Sequence, residues 1–176
     1  MVKWLLLPVA LFAVICANVL AQETQRNLIT LAIGHAVVGK GVGADGKLQL
    51  ISLPVWSLNY DYAISAKWSL GLHNDIITDT YQTEGFMLEQ PVTVIERHYP
   101  VSTLLTGSFK PGKHAAYLVG MGGSLSSTGN YWLTRFGFEY DFDLPGGWML
   151  GPGITYDLTW KAYDSFSIAL GISRKF

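Results

Sequence analysis

The sequence predicts an all-β fold: an eight-stranded antiparallel up-and-down β-barrel whose strands cross a membrane. Three observations predict it. Apolar residues recur at every second position in segment after segment, the period of a strand with one apolar and one polar face. Turn signals separate these segments, and tight connections alternate with longer ones. Finally, the 176 residues are 49% hydrophobic but only 14% charged, with mean hydropathy +0.27, whereas a soluble domain carries about 25% charged residues. That composition argues against disorder. A net charge of −1 leaves no electrostatic footprint for nucleic acid.

The first element is a targeting segment. Lys3 supplies a positive charge, and Trp4 to Ala17 is a run of 14 residues without a charged or amide side chain. Val19 and Ala21 then stand at −3 and −1 of a cleavage before Gln22. This order is that of a secretory signal peptide, too short for a comfortable membrane span. The expected organisation is residues 1–21 as signal peptide and 22–176 as barrel. The only cysteine, Cys16, lies in the part removed, behind Ile15 rather than the small residue of a lipoprotein cleavage box. The remaining 155 residues carry no thiol and a net charge of −2.

Eight alternating segments follow: 28–39, 48–61, 66–79, 93–109, 114–126, 131–143, 147–160 and 165–176. Most reach the 9–11 residues that a tilted strand needs to cross a bilayer. In the first, Ile29, Leu31, Ile33 and Val37 share a face with His35. In the fifth, Ala116, Gly120, Gly122 and Ser124 give the polar face small residues. The seventh is the clearest. Trp148, Leu150, Pro152, Ile154, Tyr156, Leu158 and Trp160 alternate with Met149, Gly151, Gly153, Thr155, Asp157, Thr159 and Lys161. The eighth sets Phe166, Ile168, Leu170 and Ile172 against Ser165, Ser167, Ala169, Gly171, Ser173 and Lys175.

Connections at 61–66, 110–113 and 144–147 are short, two of them with Pro-Gly signals, while 39–47, 80–91, 126–130 and 161–164 lie on the other side. Membrane barrels show this asymmetry of turns and loops, and an even strand number returns both termini to the turn side. A soluble barrel with an apolar interior has the same period. Three features decide against it: Trp68, Trp132, Trp148 and Trp160 stand near the ends of apolar faces as membrane-interface aromatics do, the opposite face is rich in small residues, and no amphipathic helical segment is present.

The last strand ends Ala169-Leu170-Gly171-Ile172-Ser173-Arg174-Lys175-Phe176. Its terminal Phe176, with Gly171 five residues earlier, resembles the C-terminal assembly signal of small porin-like bacterial outer-membrane β-barrel proteins. Arg174 departs from that signal, where an apolar or aromatic residue is usual; an arginine near the interface can snorkel towards phosphates. The resemblance implies integral insertion in a Gram-negative-type outer membrane by way of the barrel-assembly machinery. It also implies contact with outer-membrane lipids, including lipopolysaccharide. It implies no reaction.

Candidate chemistry lies on the polar face. Parity points Asn59, Asp61, His73, Asp75, Glu96, His98, Arg135, Glu139, Asp141, Asp157, Lys161 and Lys175 inward. Such charges are expensive in a narrow interior unless paired, so Arg135 with Glu139 or Asp157, and Lys175 with Asp141, are expected networks. His73, Asp75, Glu96, His98, Asp157 and Lys161 are expected to gather in the external half, the minimum for acid–base work. No metal-ligand spacing occurs, and neither metal nor cofactor is expected. Gly41 to Gly46 matches G-x-G-x-x-G, but Leu48-Gln49-Leu50-Ile51 after it is strand-like, where dinucleotide binding needs a helix. His114 reads as a solvated turn residue. In the longest loop, Tyr81, Phe86 and Met87 offer contacts to a partner, and Glu84 and Glu89 offer weak cation contacts.

The sequence therefore reads as a monomeric outer-membrane barrel with a structural or loop-mediated interaction role and no catalysis. The first alternative is a lipid-modifying enzyme of the lipid A deacylase or acyltransferase type. Such barrels use Ser and His with a carboxylate near the outer leaflet; no local His-x-Ser pairing or G-x-S-x-G elbow occurs here. The second alternative is a narrow ion channel, since eight strands leave an interior just wide enough for side chains.

Overall fold

A computed structural model describes residues 25–42, 48–85 and 93–176. The signal segment with Cys16, residues 43–47, and Phe86, Met87 and Glu89 lie outside the described residues. Among the described residues eleven strands form: β1 (Asn27–Val42), β2 (Leu48–Ala63), β3 (Trp68–Ile77), β4 (Thr80–Gly85), β5 (Thr93–His98), β6 (Val101–Phe109), β7 (Ala115–Leu125), β8 (Tyr131–Tyr140), β9 (Phe142–Asp143), β10 (Trp148–Thr159) and β11 (Asp164–Lys175).

Eight of them make a closed antiparallel ring in the order β1, β2, β3, β6, β7, β8, β10 and β11, and β11 pairs back onto β1. Closure satisfies every ladder without leaving an edge. Asn27 and Phe176 complete the seam by exchanging backbone hydrogen bonds of 3.1 and 2.9 Å. Opposed residues followed once around the ring return to β1 displaced by roughly ten positions, which tilts the strands by about 40°. One end of the ring carries the three connections 64–67, 110–114 and 141–147 with Asn27 and Phe176, and is called the turn end. The other is the loop end.

The alternation expected from sequence is what the strands show. Outward rows are apolar: Phe166, Ile168, Leu170 and Ile172 on β11 are 44–54% exposed. Trp148 opens the 12-residue β10 and Trp160 directly follows its last residue; they stand about 30 Å apart along the axis at this tilt, close to a hydrocarbon core of about 30 Å. Trp68 joins Trp148 at the turn end, and Trp132 joins Trp160 at the loop end, where the Trp160 amide bonds the Trp132 carbonyl at 2.8 Å. No helix of the described residues is long and apolar enough to cross a membrane, which says nothing against crossing with strands.

Small inward residues make room for larger neighbours. A Cβ on Gly71 would fall 2.2 Å from Asp61 Oδ1, and one on Gly151 would fall 2.6 Å from Asp141 Oδ1. These glycines are the hollows into which carboxylates fold.

Three boundaries differ from expectation. First, β1 continues to Val42, past a register irregularity at Gly39–Gly41. With Leu48–Ile51 opening β2, the G-x-G-x-x-G run joins strand to strand rather than strand to helix. Second, 131–143 breaks at Asp141 into β8 and β9, and the 144–147 turn needs glycine at Gly146 and Gly147, with φ of 76° and 77°. Third, the expected loop 80–91 begins as strand, and 93–109 is two strands. β4 and β5 pair as a separate hairpin, from Thr80↔His98 to Gly85↔Thr93, rising from the loop ends of β3 and β6.

Candidate functional site

The barrel interior is closed by two layers, each built from inward positions of facing strands. The lower one is ionic. β8 carries Arg135 inward, with β3 and β10 supplying Asp75 and Asp157. Arg135 Nε and Nη2 each donate to Asp157 at 2.6 Å, and Nη2 lies 2.5 Å from Asp75. Arg135 is 3% exposed. Bidentate pairing on one carboxylate plus a second carboxylate is what a buried guanidinium requires. Of the expected partners Asp157 is found and Glu139 is not.

Nearer the turn end, His73 Nε2 sits 3.2 Å from Asp61 Oδ1, both residues buried. Asp141 is 3.7 Å from Lys110 Nζ. Lys175, expected to pair with Asp141, is exposed instead, because the last residue of β11 has left the lumen. Around Glu139, His73, Asp141 and Arg135 lies a cavity of about 60 Å³, walled by Gly151, Gly153, Ala169 and Gly171. It has room for several waters. Above it a smaller space of about 20 Å³ lies between Asp75, Arg135, Asp157 and Tyr163.

The upper layer is apolar. Val38, Leu53, Tyr81, Ile95, Ala162 and Tyr163 form one buried cluster, with Ile51, Ile77 and Tyr131 against it. Tyr81 and Ile95 belong to the β4–β5 hairpin; the others line the rim. The hairpin lies across the mouth. Thr83 on β4 donates to the Gly39 carbonyl of β1. Arg97 on β5 donates to the Gly129 carbonyl and, at 2.7 Å, to Ser124 of β7. β1 and β7 stand opposite each other in the ring. A third anchor joins Tyr81 Oη to Tyr163 Oη at 2.5 Å, reaching the β10–β11 turn on the side facing the hairpin's base. Burial holds both phenols above their ordinary pKa. Arg97 is fully buried, its guanidinium 5.0 Å from the Tyr131 ring, and its Nε has no acceptor among the described residues.

The expected gathering of six residues in the external half does not form. Asp75 and Asp157 meet on Arg135. His73 turns to Asp61. Glu96 and His98 face out of the hairpin, 3.3 Å from each other and partly exposed. Their parity fails at Tyr99–Pro100. Three positions separate inward Arg97 from inward Pro100, while four separate Ile77 from Tyr81 on the other strand, so β5 and β6 present opposite parities. Tyr99 takes the step with φ of 43°. Lys161 is also outward, in a tight turn at φ 61°. Tyr81, expected as an exposed partner contact, is 3% exposed. His114 is half-buried, its Nδ1 2.8 Å from the Asp141 carbonyl and its ring stacked on Tyr140.

Sequence reading missed Arg97 and the hairpin anchors, although Pro100 was a signal, since proline interrupts a strand ladder. It also missed a cross-strand pair on the outward face, His35 Nδ1 to Ser52 Oγ at 3.2 Å. No ion pair from a carboxylate to His35 occurs among the described residues, and no group of ligands there could hold a metal.

No family model and no curated protein matches the chain in sequence. Solved structures do match in fold. The outer-membrane protein AlkL, determined in lipid bilayers, is similar with a TM-score of 0.52 at 16% identity, over 89% of this chain and 92% of that one. Neisserial surface protein A is similar with a TM-score of 0.50 at 12% identity, over 89% and 100%. OprG of Pseudomonas aeruginosa is similar with a TM-score of 0.50 at 14% identity, over 88% and 99%. The shared architecture is the closed eight-stranded antiparallel barrel of outer-membrane proteins.

Proposed function

We propose that this chain is an integral, monomeric outer-membrane protein whose role is to hold the β4–β5 hairpin rigidly above the membrane for interaction, without catalysis. The carrying observation is the anchoring of that hairpin across the barrel mouth, at Gly39, Ser124 and Gly129, and Tyr163. Its outer face then offers Gln82, Val94, Glu96 and His98 on a fixed two-stranded platform. Anchoring spares a partner the ordering cost of a loose loop. The non-catalytic reading rests on use of the interior carboxylates: Asp75 and Asp157 are spent on Arg135, and Asp61 on His73. In this reading the apolar outward rows contact lipid, including lipopolysaccharide on the loop side, and the Gly171–Phe176 end is read by the barrel-assembly machinery.

The test uses the absence of cysteine after residue 21. Gln82→Cys is expected to react with a membrane-impermeant maleimide on intact cells, whereas Lys113→Cys reacts only after permeabilisation. The reverse pattern sinks the display reading. Unboiled barrel is expected to migrate differently from boiled barrel on gels of the outer-membrane fraction, and recovery in the soluble fraction would overturn the membrane assignment.

A further inference from the structure

Among the described residues on the outward rows of the eight ring strands, one carries a positive charge. The β11 row runs Phe166, Ile168, Leu170, Ile172 and then Arg174, all exposed. Arg174 lies opposite Trp148 of β10 and Ile29 of β1, and its guanidinium sits 5.2 Å from the Trp148 ring. Trp148 belongs to the turn-end girdle, so the cation stands where hydrocarbon gives way to headgroups. No carboxylate pairs with it among the described residues. Of the other turn-end cations, Lys113 is 2.8 Å from Asp143 and Lys110 is turned to Asp141. Exposed Lys175 follows Arg174 directly and adds charge of the same sign.

We infer that Arg174, seated on Trp148, is a binding site for the phosphate of an anionic phospholipid in the turn-side leaflet. The inference rests on the membrane-spanning reading above. Held over the indole face, the guanidinium stays at the wall of the barrel and keeps N–H donors for a ligand from the lipid side. A phosphodiester oxygen accepts from those donors in the charge-assisted geometry that arginine favours. The lipid's chains then lie along Ile172, Leu150 and Ile29, the apolar residues beside it on the outward face. A zwitterionic lipid brings the same phosphate, but its ammonium meets Lys175; an anionic lipid avoids that repulsion.

The experiment uses the folded chain in phosphatidylcholine nanodiscs with trace spin-labelled phosphatidylglycerol or phosphatidylcholine, and reads the fraction of each label immobilised on the protein. One guanidinium at a headgroup favours the anionic label by about fivefold at low salt. Molar salt reduces the preference. Arg174→Leu should bring the ratio close to one, and Arg174→Lys should leave an intermediate value, having charge without the planar face. Lys113→Leu, on a different connection and already paired, should change it little. Equal ratios in wild type and Arg174→Leu would overturn the site. So would an equal fall in Lys113→Leu, which marks a diffuse basic collar. If Arg174→Leu fails to fold, wild-type behaviour of both Arg174→Lys and Trp148→Leu overturns the stacked geometry. Heat-modifiable barrel with equal ratios rejects the lipid site alone; protein that never enters nanodiscs rejects the membrane reading beneath it.

Discussion

The barrel is stoppered twice by opposite physics. Midway along the axis, one guanidinium and two carboxylates close the lumen with ion pairs of 2.5 and 2.6 Å. At the mouth, tyrosines and aliphatic side chains close it by packing, with a single phenol pair at the centre. The ionic layer comes from positions on three ring strands. The apolar layer exists only because an added hairpin crosses the opening. A narrow barrel can thus fill its bore from within its own walls, but its mouth is sealed by chain borrowed from a loop.

Removing the ionic stopper has the largest expected cost. Arg135→Leu leaves Asp75 and Asp157 buried and unpaired, a loss of about 3–5 kcal/mol, read as a lower urea midpoint of the folded barrel. Adding Asp75→Asn and Asp157→Asn should recover part of it. An unchanged midpoint in the single variant would show that the ionic layer does not outweigh the apolar one. The apolar stopper ranks next. Tyr81→Ala should cost about 3 kcal/mol through the cavity it leaves, and Tyr81→Phe only about 1 kcal/mol for the lost hydrogen bond. If Phe costs as much as Ala, the hydroxyl pair rather than packing seals the mouth. Tyr81→Ala should also stay silent in planar bilayers, because Arg135 still blocks the bore; conduction would show the mouth to be the sole barrier.

The smallest effect lies outside both layers, at the turn end. Lys113 holds the Asp143 carboxyl below its ordinary pKa, and Asp143 holds Lys113 above its own. A carboxylate with a lowered folded pKa adds stability that is present above its unfolded pKa of about 4 and lost as pH falls through the folded value. Lys113 adds stability below its unfolded pKa of about 10.4, lost as pH rises through the folded one. Both groups are exposed, so Asp143→Asn should flatten the acid limb of the urea midpoint only slightly. A steep limb that survives the substitution assigns acid sensitivity to the interior carboxylates.

Arg135 and Asp157 were legible because each stands inside an unbroken alternating run, where parity alone decides the face. Glu96 and His98 were not, since the step at Tyr99–Pro100 reverses parity between β5 and β6. Lys161 escaped for a related reason: a turn at positive φ has no period of two. The Asp61–His73 and His35–Ser52 pairs depend on register across neighbouring strands, which no single segment encodes.

By itself the sequence determined the class of fold, the alternation of faces, the aromatic ends of the apolar rows and the short-turn, long-loop asymmetry. Those are local properties, set by side-chain period and turn chemistry over a few residues. The tertiary structure alone decided which charges meet, that Glu139 yields Arg135 to Asp75, and that the expected loop folds back across the mouth. Ring closure and its stagger bring residues far apart in the chain to one level of the axis, and a single missing position in one strand redirects every side chain beyond it.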